Sequence, residues 1–365
     1  MQTVSAVVVD KTAAGEITVS ARSVPTREPG PGELLVRPEF VGVCGSDLEL
    51  LDGNFELDYP VTYPVILGHE WSGTVLAVGA GVEDYAVGDL IVGHGSLGNN
   101  HWFGLTSDGA MAEAFTVPRS LCFHVPGNVG AQQAALAEPL ACVIEGLHRI
   151  GGADPSHISV VFGCGTLGLA MIGLLHQLGC PVVAIDPSEQ RRAIARNLGA
   201  DLTLDPTTTE PREEIVARLG AAADLVVEAS GSPLAQASAL DVTADRARVL
   251  YMGLTHGTAH NVALRQIQAR DLRIQASSGA PPTAFASALR LMARTGLDLT
   301  PAVSTIFPFT ACTDAITAAR NPAGSGKVML APAVPGPADS AARRTAAAAL
   351  DHAGTGQLTS STGSD

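Results

Sequence analysis

Lysine is almost missing from this chain: of 22 basic residues, only Lys11 and Lys327 are lysines. Against the basic residues stand 36 acidic ones, for a formal net charge of −14. A chain so poor in positive charge is a bad partner for nucleic acid or an anionic membrane, since both need clustered Lys and Arg. Long apolar runs are missing as well. No window approaches the roughly 20 apolar residues of a membrane span. The N-terminal "MQTVSAVVVDK" is too short in its apolar run for a signal peptide. The six cysteines (Cys44, Cys122, Cys142, Cys164, Cys180 and Cys312) include no C-x-x-C pair. Free thiols in a reducing, cytoplasmic setting are the expectation. Aromatic residues make up only 4%, so no broad aromatic-walled pocket is advertised.

What is present is core material. The chain has 365 residues, 46% hydrophobic and 16% charged, enough for two well-cored domains. Residues 1–150 are rich in strands and turns: "SAVVVD", "ELLVRPEFVGV" and "SGTVLAVG" read as strands and "EPGPGE" as a tight loop. "QQAALAEPLACVIEGLHRI" has helical spacing, with Pro139 in a first turn, where proline is tolerated. After "GGADPSH" the period changes. "ISVVFG", "PVVAID", "ADLVVEASG", "RARVLYMGL" and "DLRIQASSG" read as strands, the first as one buried on both faces. "TLGLAMIGLLHQLG" and "SEQRRAIARNLGA" read as intervening helices, the second capped by Ser188. This alternation predicts a doubly wound parallel sheet. A further helix, "TAFASALRLMARTG", and short mixed elements lead to "GKVMLAP". The tail from about residue 333 has no apolar period and is expected to be disordered.

"VVFGCGTLGLA" places Gly163, Gly165 and Gly168 as G-x-G-x-x-G between a strand and a helix, the context that gives this motif meaning. The glycines permit a tight turn and close approach of backbone to a diphosphate, and the helix N-terminus offers free N–H groups. Asp186 ends the next strand, where a carboxylate can accept from both ribose hydroxyls and repels a 2′-phosphate. NAD is therefore expected ahead of NADP, a preference softened by Arg191 and Arg192, since Arg pairs with phosphate.

Cys44 in "VGVCGSDLEL", His69 and Glu70 in "GHEWSG", and Glu138 in "EPLACV" offer the thiolate, imidazole and carboxylate that suit a catalytic zinc. Each also has a plain alternative. A lone Cys in an apolar run is usually core, a His–Glu pair is often surface, and Glu138 fits the dipole of a first turn. Spacing leaves the two readings open.

The motifs "CGSD", "GHEWSG", "VGDLIV", "DGAMAEAF", "EPLACV", "GCGTLG", "VVEASG" and "GKVML" occur in the order seen in medium-chain zinc-dependent alcohol dehydrogenases. The chain resembles that family over residues 1–332, closest to its sorbitol and threonine dehydrogenase branch, with some similarity to aminocyclitol dehydrogenases. The resemblance implies a GroES-like β-rich catalytic domain (1–150 with 280–332) and a Rossmann-type domain (151–279). It implies that Cys44 and His69 bind zinc, with Glu70 and Glu138 as carboxylates that ligate directly or through water. Ser46 matches the hydroxyl that takes the alcohol proton. In the cofactor loop Gly163, Gly165, Thr166, Leu167 and Gly168 match the dinucleotide site, and Asp186 and Arg191 match the adenosine contacts. Met252, Gly253, Leu254, Ser277 and Ser278 fall where relatives line the nicotinamide. Relatives are dimers or tetramers built edge to edge, so a homodimer or homotetramer is implied, with "RARVLYMGL" as the candidate edge.

The chain departs from the family twice. Many relatives carry four cysteines for a structural zinc, whereas "LIVGHGSLGNNHWFGLTS" has none. His94 and His101 there, without a nearby Cys, make no closed tetrahedral site. Glu49 stands where relatives often have a His in the proton path, and a carboxylate or water could serve instead. Trp71, Asn99, Asn100, His101 and Trp102 could contact a substrate, or Trp71 could be core and the Asn pair a turn.

The expected activity is hydride transfer between a secondary alcohol of a polyol, sugar or (amino)cyclitol and NAD, assisted by zinc, with no nucleic-acid or membrane partner. The competing readings are a zinc-free NAD(P) reductase of the same fold and a non-catalytic dinucleotide-binding protein. Elemental analysis of the purified protein is expected to find one zinc per chain. None would remove the metal from the mechanism, and two would overturn the reading of the cysteine-free segment.

Overall fold

The period-2 strands after residue 158 form a six-stranded parallel sheet in the order Leu202–Leu204, Val182–Ile185, Ser159–Phe162, Ala223–Glu228, Thr243–Tyr251, Arg273–Ala276. Two of its inner apolar strands, "SVVF" and "VVAI", are buried at every position. Alternation then divides them between two cores. Val161, Ala184, Val227 and Leu250 pack on one face, while Val160, Val183, Val226 and Val249 pack on the other. This is why the strands read as continuous apolar runs rather than alternating ones. "RARVLYMGL" is not the edge expected of it. Strand Arg273–Ala276 pairs outside it, so that shorter strand is the sheet's border.

The computed structural model describes residues 3–55, 59–254, 262, 264–321 and 326–332; the tail 333–365, expected to be disordered, lies outside them. Among the described residues no helix is long and apolar enough to cross a membrane.

The remaining strands build mostly antiparallel structure. A seven-stranded sheet runs Cys122–His124, Leu90–Gly93, Glu70–Val78, Glu33–Gly42, Lys327–Ala331, Val303–Pro308, with Phe115–Pro118 also pairing on Glu33–Gly42. Thr3–Lys11 pairs with Ile17–Pro25 and Val65–Ile66 in a smaller sheet. Register matters at one point. Gly42 lies opposite Glu70 on one neighbour and opposite Met329 on the other. The amide of Val43 donates to the Val328 carbonyl at 2.9 Å. Three strands far apart in sequence therefore bring Cys44, Glu70 and Lys327 to one end of the sheet.

The glycine loop leaves the C-terminal end of strand Ser159–Phe162, beside the ends of Val182–Ile185 and Ala223–Glu228, the end where open α/β sheets bind ligands. Gly163 has φ +87°, a conformation that favours glycine. A Cβ on Gly168 would meet the Gly163 carbonyl oxygen at 1.8 Å, whereas one on Gly165 would meet nothing within 4 Å. Gly163 and Gly168 are thus demanded by backbone and packing, and Gly165 is not. Gly168→Ala is expected to cost about 3 kcal/mol by overpacking, and Gly165→Ala less than about 0.5 kcal/mol. Denaturant midpoints of the two variants check this, and equal losses would refute the distinction.

Candidate active site

Cys44 is the last residue before the short helix Gly45–Leu51, and its amide donates to Asp47 Oδ2 at 2.8 Å. Asp47 is fully buried. Its Oδ1 lies 3.5 Å from His69 Nδ1, so one carboxylate fixes both the thiol's backbone and the imidazole's orientation. On the ring's other side, Nε2 lies 3.3 Å from Ser46 Oγ. Burial alone would pull the His69 pKa down, but Asp47, with Cys44 behind it, holds the imidazole well above its usual range.

Glu70 follows His69 into the strand and is buried. It forms an ion pair with Lys327, whose side chain is equally enclosed. Burial raises the Glu70 pKa, yet the Lys327 and His69 charges outweigh it and keep the carboxylate ionised; Glu70 does the same for the ammonium of Lys327. Gly42 makes the pair possible. A Cβ there would lie 2.6 Å from Lys327 Cε and still closer to the Glu70 carboxylate, so the two flanking strands join their charges over a bare stretch of the middle one.

Among the described residues, the donor atoms of Cys44, His69 and Glu70 all lie within 4.8 Å of one another. Glu138 is not in that set. It sits in the first turn of helix Ala137–Arg149 and accepts a hydrogen bond from Cys142 Sγ at 3.3 Å. Burial, and then the negative charge of Glu70, push it up to about 7. His69 Nδ1, Asp47 Oδ1 and Glu70 Oε2 are buried without a geometrically good hydrogen bond. A cluster of that kind, with soft and hard donors together, suits a divalent cation such as zinc.

A cavity of ≈ 160 Å³ lies between Cys44 and the glycine loop, lined among others by Cys44, Gly165, Thr166, Arg191 and Lys327. Gly165 caps helix Thr166–Gln177, and the open space beside it is where an added Cβ would project. Leu167, in the first turn, packs partly against the core. Asp186 is buried; its Oδ2 accepts from the Cys164 amide and its Oδ1 from the Ser188 amide, both at 2.8 Å. It thereby ties the glycine loop to the next helix. Arg192 is not available to a phosphate as expected, because its guanidinium bonds the Asp186 carbonyl at 2.5 Å and pairs with Asp205 and Glu189. Arg191 alone of the two lines the cavity.

With this geometry in place, the comparisons are direct. Residues 30–127 match the alcohol dehydrogenase GroES-like domain and residues 166–294 the zinc-binding dehydrogenase domain. The chain is 32% identical to L-threonine 3-dehydrogenase of Thermococcus kodakarensis over 245 residues, covering 62% of this chain and 69% of that protein. It belongs to the medium-chain zinc-dependent alcohol dehydrogenase family. Sorbitol dehydrogenase of Gallus gallus is 29% identical over 87% of this chain and 94% of its own. A putative zinc-binding dehydrogenase from Sinorhizobium meliloti, solved bound to NADP, superposes with a TM-score of 0.81 at 28% identity, covering 91% of this chain and all of that one.

Of the remaining residues expected of a family member, Gly253 packs against Gly231, where either added Cβ would strike backbone within 2.2 Å. Leu254 is exposed, Ser277 is buried with an unpartnered hydroxyl, and Ser278 is exposed. Glu49 lies partly buried on the Gly45–Leu51 helix. Trp71 is core, meeting Phe115 edge-on at 4.9 Å. Asn99 and Asn100, at φ 50° and 62°, are the turn between Ser96–Gly98 and His101–Trp102. His94 is buried near Phe123 and Phe285, and burial lowers its pKa, while His101 is exposed.

Asp47 and Lys327 escaped the reading of the sequence. Lys327 carried a signal all the same, being one of two lysines and the only one in a strand of buried residues. In metal-free protein, Lys327→Met leaves Glu70 buried and unpaired and is expected to cost about 3–5 kcal/mol. Adding Glu70→Gln should recover more than half. An unchanged denaturation midpoint in the single variant would show that the pair is not a structural element.

Proposed function

We propose that the chain exchanges a hydride between a secondary alcohol of a polyol, sugar or cyclitol and NAD, with one zinc at Cys44, His69 and Glu70 and with Glu138 as the carboxylate beside them. The observation that carries this reading is the shared cavity. Cys44 lines it together with Gly165, Thr166 and Arg191, so the metal-donor thiol and the dinucleotide loop face one space. Bound zinc would supply a Lewis acid that lowers the pKa of a substrate hydroxyl, and bound nicotinamide would take the hydride.

The chain's own residues do the rest. Asp47 holds Nδ1 of His69 and leaves Nε2 toward Ser46 and the donor cluster. Ser46 Oγ is placed to take the alcohol proton, and Glu49, three residues along the same helix, is the next acceptor toward solvent. Because Asp47 and Cys44 favour a proton on His69, a metal must displace it, and bound metal should decline as pH falls. Gly165 admits the diphosphate, with Arg191 as its cation. Each Asp186 oxygen retains a lone pair beyond its amide bond, enough to accept ribose hydroxyls and disfavour a 2′-phosphate. Gly253, Leu254, Ser277 and Ser278 would border the nicotinamide, with the buried, unpartnered Ser277 hydroxyl among them. Residues 1–150 with 280–332 serve catalysis and 151–279 serve the dinucleotide. Without the four cysteines there is no second zinc. Relatives named for sorbitol and for (R,R)-butanediol support a hydroxylated substrate. A cytoplasmic homodimer or homotetramer completes the reading.

Two variants test the division of labour. Cys44→Ala is expected to lose more than about 10³-fold in turnover and most of its zinc while NAD affinity stays within about twofold. Gly165→Ala is expected to weaken NAD by about tenfold or more while keeping its zinc. Elemental analysis, NAD titration and steady-state rates give the readouts. Full turnover in Cys44→Ala, or after chelation and dialysis, would sink the metal assignment.

A further inference from the structure

The segment without cysteines has a structure of its own. Strands Ser96–Gly98 and His101–Trp102 form a hairpin that delivers Trp102. The carbonyl of Trp102 accepts from the amides of Leu105, Thr106 and Ser107 at 3.2, 2.9 and 3.1 Å. Its amide donates to Thr106 Oγ1 at 2.8 Å. The next residues are stitched to the donor cluster: Phe103 donates to the Gly95 carbonyl at 2.8 Å, and the Gly104 carbonyl accepts from Gly68, next to His69, at 3.1 Å. The backbone under the indole is thus fixed from several sides.

The indole itself spans two loops. A Cβ on Gly95 would lie 3.4 Å from Trp102 Cε3 and 3.7 Å from His69 Cβ. A Cβ on Gly279 would lie 3.2 Å from Trp102 Cη2. One edge of the benzo ring therefore runs from the loop beside His69 to the loop that follows Ser277 and Ser278. Tyr59 meets the indole edge-on, with centroids 6.4 Å apart at 89°. The indole is only partly buried. A Cβ on Gly279 would crowd the ring, whereas one on Gly95 would only touch it.

We propose that Trp102, wedged between the Gly95 loop beside His69 and the loop of Ser277–Gly279, is a specificity-determining wall of the alcohol site that selects cyclic substrates presenting a flat face of C–H groups. A ring carbinol carries such a face, and a rigid aromatic surface covers it with little loss of side-chain freedom. An open-chain alcohol must be ordered to offer the same contact, which costs rotamer entropy. The inference rests on reading Cys44, His69 and Glu70 as the metal end of an alcohol site.

The test uses pairs matched in carbon number, cyclohexanol with 2-hexanol and myo-inositol with sorbitol, on the zinc-loaded full chain with NAD. Trp102→Ala is expected to lower kcat/KM for the cyclic member at least about tenfold more than for its open-chain mate, mostly through KM, and Trp102→Phe to restore much of the ratio. Equal losses on both members, or none, would overturn it. Binding is read apart from turnover by fluorescence, because the chain has two tryptophans and Trp71 is buried in the core. Cyclic alcohol added to the NADH complex, which cannot oxidise it, should change the emission of the parent and not that of Trp102→Phe. A parent whose emission no cyclic alcohol alters would also overturn the proposal. Zinc content and NAD affinity, measured on every variant, separate this failure from failure of the metal reading, which would appear as a parent without zinc.

Discussion

A charge taken out of water must find a partner, and in this chain that requirement is concentrated on Glu70. It enters the interior as the first residue of a central strand, and its partner Lys327 arrives from the last described strand, on the far side of Gly42. The pair forms only if three strands hold their register, because a slip of one residue sends every side chain to the opposite face. It also leaves no room for a Cβ at the crossing point. The same register places Cys44 beside the pair and His69 at the strand's entrance. Chain ends separated by more than two hundred residues are therefore committed to one another before any ligand binds.

The electrostatics of the cluster follow from that commitment. Cys44, Asp47, Glu70 and Glu138 are acids; His69 and Lys327 are the bases set against them. So many acids in little space cannot all ionise without cations nearby. The metal-free site answers by keeping a proton on His69 and by pushing Glu138 up to about 7. Both are states that a divalent cation would reverse, since it supplies the positive charge those protons stand in for. An apolar core would show neither shift, and a surface cluster would be screened by solvent.

Much of this was legible in the sequence because it is local. The parallel strands announced themselves as continuous apolar runs, and Gly163, Gly165 and Gly168 carried their turn and helix with them. Cys44, His69 and Glu70 could be nominated by residue type and by family resemblance, yet only register brings their donor atoms together. Lys327 and Asp47 show the limit. Lysine is not a zinc ligand and Asp47 is one acid among many, so the importance of each comes from a partner reached through folding. The border strand was misjudged for a related reason. "RARVLYMGL" and "DLRIQASSG" are both plausible strands, and lateral order in a sheet is decided by crossover connections that local pattern does not encode. Arg192 shows the converse, a cation whose position suggested a phosphate but whose guanidinium is consumed by Asp205, Glu189 and a carbonyl.

The cysteine-free segment illustrates how hydrogen bonds can hold a loop in place. A structural zinc orders a lobe by cross-linking it, and folding free energy comes with binding. Here the segment is short, turned by two asparagines in left-handed conformation, and fastened through amides gathered on one carbonyl and through bonds to Gly68 and Gly95. Each such bond contributes only about 1 kcal/mol, but together they leave the hairpin few alternatives. The side chain so held is Trp102, one of the chain's few large aromatics. In a sequence that spends aromatics sparingly, fixing an indole beside the donor cluster, where solvent still reaches part of it, is a placement that the packing of the core alone does not require.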